Sequence, residues 1–191
     1  MKKVALFASG SGSNVQNISE YFQSNPHVEI NLVLSNNPNA YVLERAKKLG
    51  IPTHVFTRDT FYNTREVVKI LEEAQTDFIV LAGFLWLVPQ NLIHAFPNRI
   101  INIHPALLPK YGGKGMYGSK VHEAVILNGE KESGITIHYV NEHYDEGSVI
   151  FQASCTINPD DSPESLAEKV HQLEYEYYPK IIEQLVMQMV K

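Results

Sequence analysis

Asn102 and His104 stand two residues apart at the end of an apolar run, Ile100 to His104. In an extended chain both side chains point to one face while Ile101 and Ile103 point to the other. An amide donor beside an imidazole suits acyl transfer, because the tetrahedral intermediate carries negative charge on the former carbonyl oxygen and both groups can donate to it. A histidine that is to be cationic near neutral pH needs a carboxylate neighbour, and Asp145, in the turn-rich piece Asn141 to Gly147, can supply one. The same carboxylate could take the proton of an attacking amine through water. Pro105 biases His104 to an extended conformation and stops a helix from starting there, so the pair is left at the carboxyl end of a strand. Taken singly, each residue has an ordinary alternative: a packing or surface role for one histidine of eight, a turn-bonding role for one asparagine. His138 and His143 raise a metal site with Asp145, but the turn between them is irregular and no standard ligand spacing appears, so no metal is expected.

A second constellation lies near the start of the chain, where an apolar strand runs into Ser9-Gly10-Ser11-Gly12-Ser13-Asn14 and then a helix. Such a turn lets backbone N–H groups and a helix N-terminus face a phosphate. A dinucleotide fingerprint fails twice: Val15 stands where a third small residue is required, and Ser35 and Asn36 replace the acidic residue that would hold a ribose hydroxyl. The glycines could also serve only a tight connection, and Ser13 or Asn14 could act only as a cap.

These groups need a scaffold, and the chain supplies its pattern. Apolar runs at Lys3 to Ala8, Ile30 to Ser35, Thr53 to Phe56, Phe78 to Ala82 and Ile100 to His104 alternate with helical segments at Asn14 to Phe22, Ala40 to Leu49, Thr64 to Ala74 and Pro89 to Ala95. Glycines and prolines from Pro105 to Gly118 predict a long loop before a helix at Ser119 to Leu127. Strand runs at Gly134 to Val140 and Ser148 to Ile157 predict an antiparallel ribbon. A last helix starts at Ser162 and Pro163 and runs towards Tyr177. The expectation is an α/β, Rossmann-like domain: a mostly parallel sheet, helices on both faces, and the ribbon near its C-terminal part.

With 191 residues there is room for one such domain, and 44% hydrophobic against 19% charged residues excludes a disordered chain. Net charge is -5 with Lys and Arg scattered, which argues against nucleic-acid binding. No apolar run suggests a signal peptide or membrane span, so a cytoplasmic location is expected. Cys155 is the one cysteine, which excludes an internal disulfide, and its alternation with Val149, Phe151 and Ala153 predicts a buried strand position.

The run Asn102-Ile103-His104-Pro105-Ala106-Leu107-Leu108-Pro109-Lys110-Tyr111 closely resembles the signature of the folate-dependent formyltransferases, and Asp145-Glu146-Gly147 resembles their second active-site loop. The resemblance implies Asn102, His104 and Asp145 as catalytic residues and 10-formyltetrahydrofolate as co-substrate. The loop Gly10 to Asn14, with no room for a further domain, favours the purine-pathway branch, in which the formyl group passes to the amine of glycinamide ribonucleotide. By the same resemblance residues 1–191 form one formyltransferase domain, with a phosphate-binding half at 1–100 and a catalytic and folate-binding half at 101–191. Gly12, Ser13 and Asn14 would hold the substrate phosphate, and His171, Gln172, Leu173 and Glu174 would meet its ribose and glycinamide parts. Arg65, Leu85, Trp86, Leu87, Val88, Asn102, Asn141, Glu142, His143, Tyr144 and Asp145 would bind the folate. Partners are then small molecules, glycinamide ribonucleotide and formylfolate, with no nucleic acid or membrane, and the chain a monomer or weak homodimer. Trp86 departs from the arginine common in relatives, and Gly112 to Gly118 is longer than their loop and lacks its histidine. Hydrolysis of formylfolate, formyl transfer to another phosphorylated amine, and a non-catalytic phosphometabolite-binding module are the alternatives.

Overall fold

The computed structural model describes residues 1–189; the last two residues of the expected domain lie outside them. Strand β1 (Lys2–Phe7) leads into helix α1 (Ser13–Phe22), β2 (Val28–Ser35), α2 (Tyr41–Lys48) and β3 (Thr53–Val55). Helices α3 (Arg58–Tyr62) and α4 (Glu66–Glu73) precede β4 (Phe78–Leu81), α5 (Gln90–Ala95) and β5 (Ile100–His104). Then come α6 (Ser119–Leu127), β6 (Glu132–Tyr139), β7 (Val149–Thr156) and α7 (Pro163–Gln188). One seven-stranded sheet has the order β3-β2-β1-β4-β5-β6-β7. The first five strands are parallel, and β6 and β7 are each antiparallel to their neighbour, giving the mostly parallel sheet with its terminal ribbon.

Period-two alternation explains why the sheet is covered twice. Val4 and Leu6 of β1 join a core with Val15, Ile18, Val125, Leu166, Val170, Tyr178 and Ile182, which brings α1, α6 and α7 onto one face. Ala5 and Phe7 turn the other way, into Phe56, Phe61, Val68, Leu71, Ile79 and Leu92, under α3, α4 and α5. Phe7 is fully buried and meets the rings of Phe56, Phe61 and Phe84 at 5.5–6.4 Å between centroids. Burying a side chain of that size contributes about 1.5–3 kcal/mol.

Two elements differ from expectation, each for a local reason. Helix α3 was not expected, yet Thr57 and Thr60 form a reciprocal capping box and Phe61 anchors the turn in the core. Helix α7 starts as read, with Ser162 at the N-cap and Pro163 in the first turn, but continues through Pro179 to Gln188 instead of ending near Tyr177. A proline inside a helix removes the N–H that the carbonyl four residues back would accept. Here that carbonyl, on Tyr175, accepts from Asn17 Nδ2 at 3.1 Å, so the break is repaired from α1. Cys155 lies in β7 as expected but is half-buried, not buried. Among the described residues no helix is long and apolar enough to cross a membrane.

Candidate active site

A cavity of about 930 Å³ opens above the carboxyl ends of β1, β4 and β5. Parallel strands end there with their connecting loops splayed apart, which is where open α/β sheets take ligands. Its walls include the Gly10–Asn14 turn, the Leu85–Val88 segment, the Gly113–Ser119 loop and the Asn141–Asp145 turn.

One end of the cavity is assembled across the β5–β6 pair. Antiparallel register sets Asn102 opposite His138 and His104 opposite Thr136. His138 Nδ1 lies 2.9 Å from the Tyr139 carbonyl, which can only accept, so the neutral ring offers Nε2 to Asn102 Nδ2 at 3.2 Å. His104 Nε2 donates in the same way to the Tyr111 carbonyl at 2.7 Å. The Asp145 carboxylate sits between the two rings, 3.5 Å from His104 Nδ1 and 3.6 Å from His138 Nε2, and accepts from the Gly113 N–H at 3.0 Å. Three separate stretches of chain therefore meet at one carboxylate.

The backbone works to hold that arrangement. Tyr111 and Asp145 both have φ of 57°, a left-handed conformation unusual away from glycine. Gly147 lets the Asn141–Gly147 turn lie on β6, since a Cβ there would stand 1.6 Å from the Tyr139 oxygen. Fully buried Thr136 ties down the chain after His104: its hydroxyl donates to the Ala106 carbonyl at 2.7 Å and accepts from the Leu108 N–H at 3.0 Å and Gln152 Nε2 at 2.9 Å.

The charge balance reverses one expectation. Burial pushes the His104 pKa below its ordinary value, and the Asp145 charge and the Tyr111 carbonyl, which pull it up, do not overcome that. His104 is not a standing cation. Asp145 is also buried, which by itself would raise its pKa, but the adjoining His138 and His104 rings, which favour the charged carboxylate whenever they carry a proton, and the Gly113 N–H outweigh this and hold it below the usual carboxylate range. The carboxylate thus keeps its charge, and further negative charge beside His104 would raise that ring's proton affinity.

At the other end of the cavity, Gly12 has φ of 74° and a Cβ on it would stand 2.3 Å from Val42 of α2. The turn is pinned to α2 by the Val42 N–H to the Gly10 carbonyl at 3.1 Å and by Arg45 Nε to the Ser11 carbonyl at 2.8 Å. No side chain caps α1, so neither Ser13 nor Asn14 acts as a cap, and the turn can offer its first N–H groups to an anion. Asn14 instead donates to Glu174 Oε2 at 2.8 Å. Burial raises the Glu174 pKa, against the opposing pull of Asn14 and His171.

The cavity brings together Gly12, Ser13, Asn14, Leu85, Trp86, Leu87, Val88, Asn102, Asn141, His143, Tyr144, Asp145, His104, His171 and Glu174. Four expected contacts do not line it. Gln172 and Leu173 fall off the face of α7 that carries His171 and Glu174, because a helix returns to one face only after three or four residues; Leu173 packs into the core instead. Glu142 is exposed at the turn's outer side. Arg65 is exposed at the start of α4 and pairs with Glu72 at 3.4 Å. Trp86 packs against Phe56, Phe61 and Tyr62, with the Arg58 guanidinium 5.4 Å above its ring. His122 lines the cavity although its sequence context marks no site role, and the spacing of His138 raises it only as a metal ligand. The signal for His138 was its place in an apolar strand of the ribbon, but its partner depends on a register that spacing does not reveal. Among the described residues, no group of three or more His, Cys, Asp or Glu side chains is placed to hold a metal ion.

Residues 2–182 match the formyl transferase family. The chain is 40% identical, over all of its length and 67% of the relative's, to the chloroplastic phosphoribosylglycinamide formyltransferase of Arabidopsis thaliana. It is 38% identical to the phosphoribosylglycinamide formyltransferase of Haemophilus influenzae, covering 95% of this chain and 86% of that one. Among solved structures, the phosphoribosylglycinamide formyltransferase of Anaplasma phagocytophilum superposes with a TM-score of 0.90 at 33% identity, covering all of this chain and 89% of that one.

Proposed function

The chain belongs to the formyl transferase family, and from that membership we propose that it carries a formyl group from 10-formyltetrahydrofolate to the primary amine of glycinamide ribonucleotide, a step of purine synthesis. What supports this acceptor is the single cavity that joins the Gly10–Asn14 turn, suited to a phosphate, to the Asn102, His104 and Asp145 cluster, suited to acyl transfer.

The amine nitrogen attacks the formyl carbon, and the carbonyl electron pair moves onto oxygen. Asn102 Nδ2 donates to the oxyanion. Asp145 accepts the proton that the amine loses and passes it to His104 Nδ1, 3.5 Å away, whose proton affinity rises as the oxyanion forms. The protonated ring then donates to the oxyanion as well. Cleavage of the bond from the carbon to N10 restores the carbonyl, and N10 takes up that proton from His104, so the products are tetrahydrofolate and the formylated amine. Leu85, Leu87 and Val88 give an apolar wall against which a pterin ring can be buried.

Purified protein supplied with 10-formyltetrahydrofolate should form tetrahydrofolate only when glycinamide ribonucleotide is also present. Formate release without the acceptor would replace this reading with hydrolysis, and binding of both without turnover would replace it with a non-catalytic module.

A further inference from the structure

His122, on α6, is 3% exposed and lines the cavity, yet its Nδ1 is fully buried without a hydrogen-bond partner. Leaving a buried nitrogen unpaired destabilises a fold, and an apolar ring would avoid that cost if packing were the only demand on this position. The mechanism above makes no use of it. Its position is informative: α6 packs against α7, and His122 lines the same cavity as His171 and Glu174 of α7 and His104 of β5. Glu174 is tied to the Gly10–Asn14 turn through Asn14, and His104 stands at the other end. An acceptor with its phosphate on Gly12–Asn14 and its amine at His104 must lay its sugar across that interval, past Glu174 and His122.

We propose that His122 is a specificity-determining residue of the acceptor site, whose imidazole hydrogen-bonds a ribose hydroxyl of the phosphoribosyl substrate. This rests on the acceptor proposed above. A half-turn of the ring about its Cβ–Cγ bond exchanges Nδ1 for Cδ2 without moving the backbone, and so can bring the unpaired nitrogen to the cavity side. Burial, with the nearby His171 and His104 charges, pushes the ring's pKa down to about 4, so it is uncharged at neutral pH. An uncharged ring carries one donor and one acceptor, which matches a hydroxyl and not a phosphate. Asn14 Nδ2 already engages Glu174, and the buried side-chain atoms of the cavity lining left without a hydrogen-bond partner, among the described residues, are Asn14 Oδ1, on the turn proposed for the phosphate, and His122 Nδ1.

The test is steady-state kinetics of the full chain with glycinamide ribonucleotide and with its 2′-deoxy and 3′-deoxy forms, for wild type, His122→Phe and His122→Asn. His122→Phe should raise the acceptor KM about tenfold or more, the loss expected for one buried hydrogen bond, while the formylfolate KM stays within about twofold. One of the deoxy acceptors should be penalised about tenfold by the wild type and not by His122→Phe. His122→Asn, which keeps an amide near the Nδ1 position, should lose less. Should His122→Phe fail to fold, the same non-additivity read in His122→Leu, which also has no hydrogen-bonding atom, decides. If the wild type transfers formyl but the folded apolar variant keeps its acceptor KM and its discrimination, the inference is overturned and the function stands. If the wild type transfers nothing to glycinamide ribonucleotide, the acceptor assignment falls and takes this inference with it.

Discussion

The two ends of the cavity are built on different principles. The end proposed for the phosphate is backbone: a turn with Gly12 in a left-handed conformation, pinned to α2 through the carbonyls of Gly10 and Ser11, presenting N–H groups at the start of α1. The end proposed for the chemistry is side chains: Asn102, His104, His138 and Asp145, drawn from β5, β6 and the turn before β7. Main-chain donors cannot be tuned by their neighbours, whereas the proton affinities of His104 and Asp145 are set by burial and by each other. Binding and chemistry should therefore separate under mutation, the first end moving KM for the acceptor and the second moving kcat.

The sharpest way to break that comparison is Asp145→Asn. The amide keeps the shape and can still accept from the Gly113 N–H, but it removes the charge that opposes burial of His104 and the group proposed to take the amine proton. A fall in kcat of about 10²–10⁴-fold is expected, with an unchanged circular dichroism spectrum and acceptor KM. Near-normal turnover would mean that the carboxylate is structural.

Next in size is Gly147→Ala, which drives a methyl group into the Tyr139 carbonyl, 1.6 Å away, so the turn carrying Asp145 must shift off β6. We expect a loss of about 2–4 kcal/mol in urea unfolding together with a fall in kcat, because fold and chemistry share this contact. Gly12→Ala is its counterpart at the phosphate end, where the Cβ would stand 2.3 Å from Val42 and φ is 74°. There the expected loss is about 1–3 kcal/mol, with a higher acceptor KM and an unchanged kcat for the protein that remains folded. An effect of Gly12→Ala on kcat alone would erase the distinction between the two ends.

The same difference explains what could be read from the amino-acid sequence. The phosphate turn is contiguous: a strand, two glycines and a helix start within a dozen residues, so its shape follows from local rules. The β5 pair is equally local, since alternation alone puts Asn102 and His104 on one face. That Asp145 meets His104 came from charge logic and from a resemblance, because the chain between them includes a 14-residue loop, Pro105 to Gly118, a helix and a strand. His138 was not given its place because a one-residue change of register would have turned it to the opposite face. The standing charge expected on His104 failed for a related reason: the sequence names the carboxylate but not the depth of burial, and here burial is the larger effect. Helix α7 outran its expected end because the repair of Pro179 comes from Asn17, 162 residues earlier.

The smallest expected effect concerns acid stability at the junction of the two ends. His122 has a pKa of about 4 in the fold against 6.5 for a free imidazole. Between those values the unfolded chain binds a proton that the native ring refuses, so stability falls as pH drops from about 6.5 to about 4. Burial is the main cause and the nearby His171 and His104 charges add to it. In His122→Phe this contribution is absent, while the titrations of Asp145 and the other groups remain in both proteins and largely cancel. The gap in unfolding free energy should therefore move in the variant's favour by about 1–2 kcal/mol between pH 7 and pH 4, after allowing for water that reaches the ring through the open cavity. Urea titrations of the two proteins at both pH values measure it. A gap that stays constant would mean that His122 titrates in the fold as it does in the unfolded chain, and that the ring is less sealed from water than its 3% exposure implies.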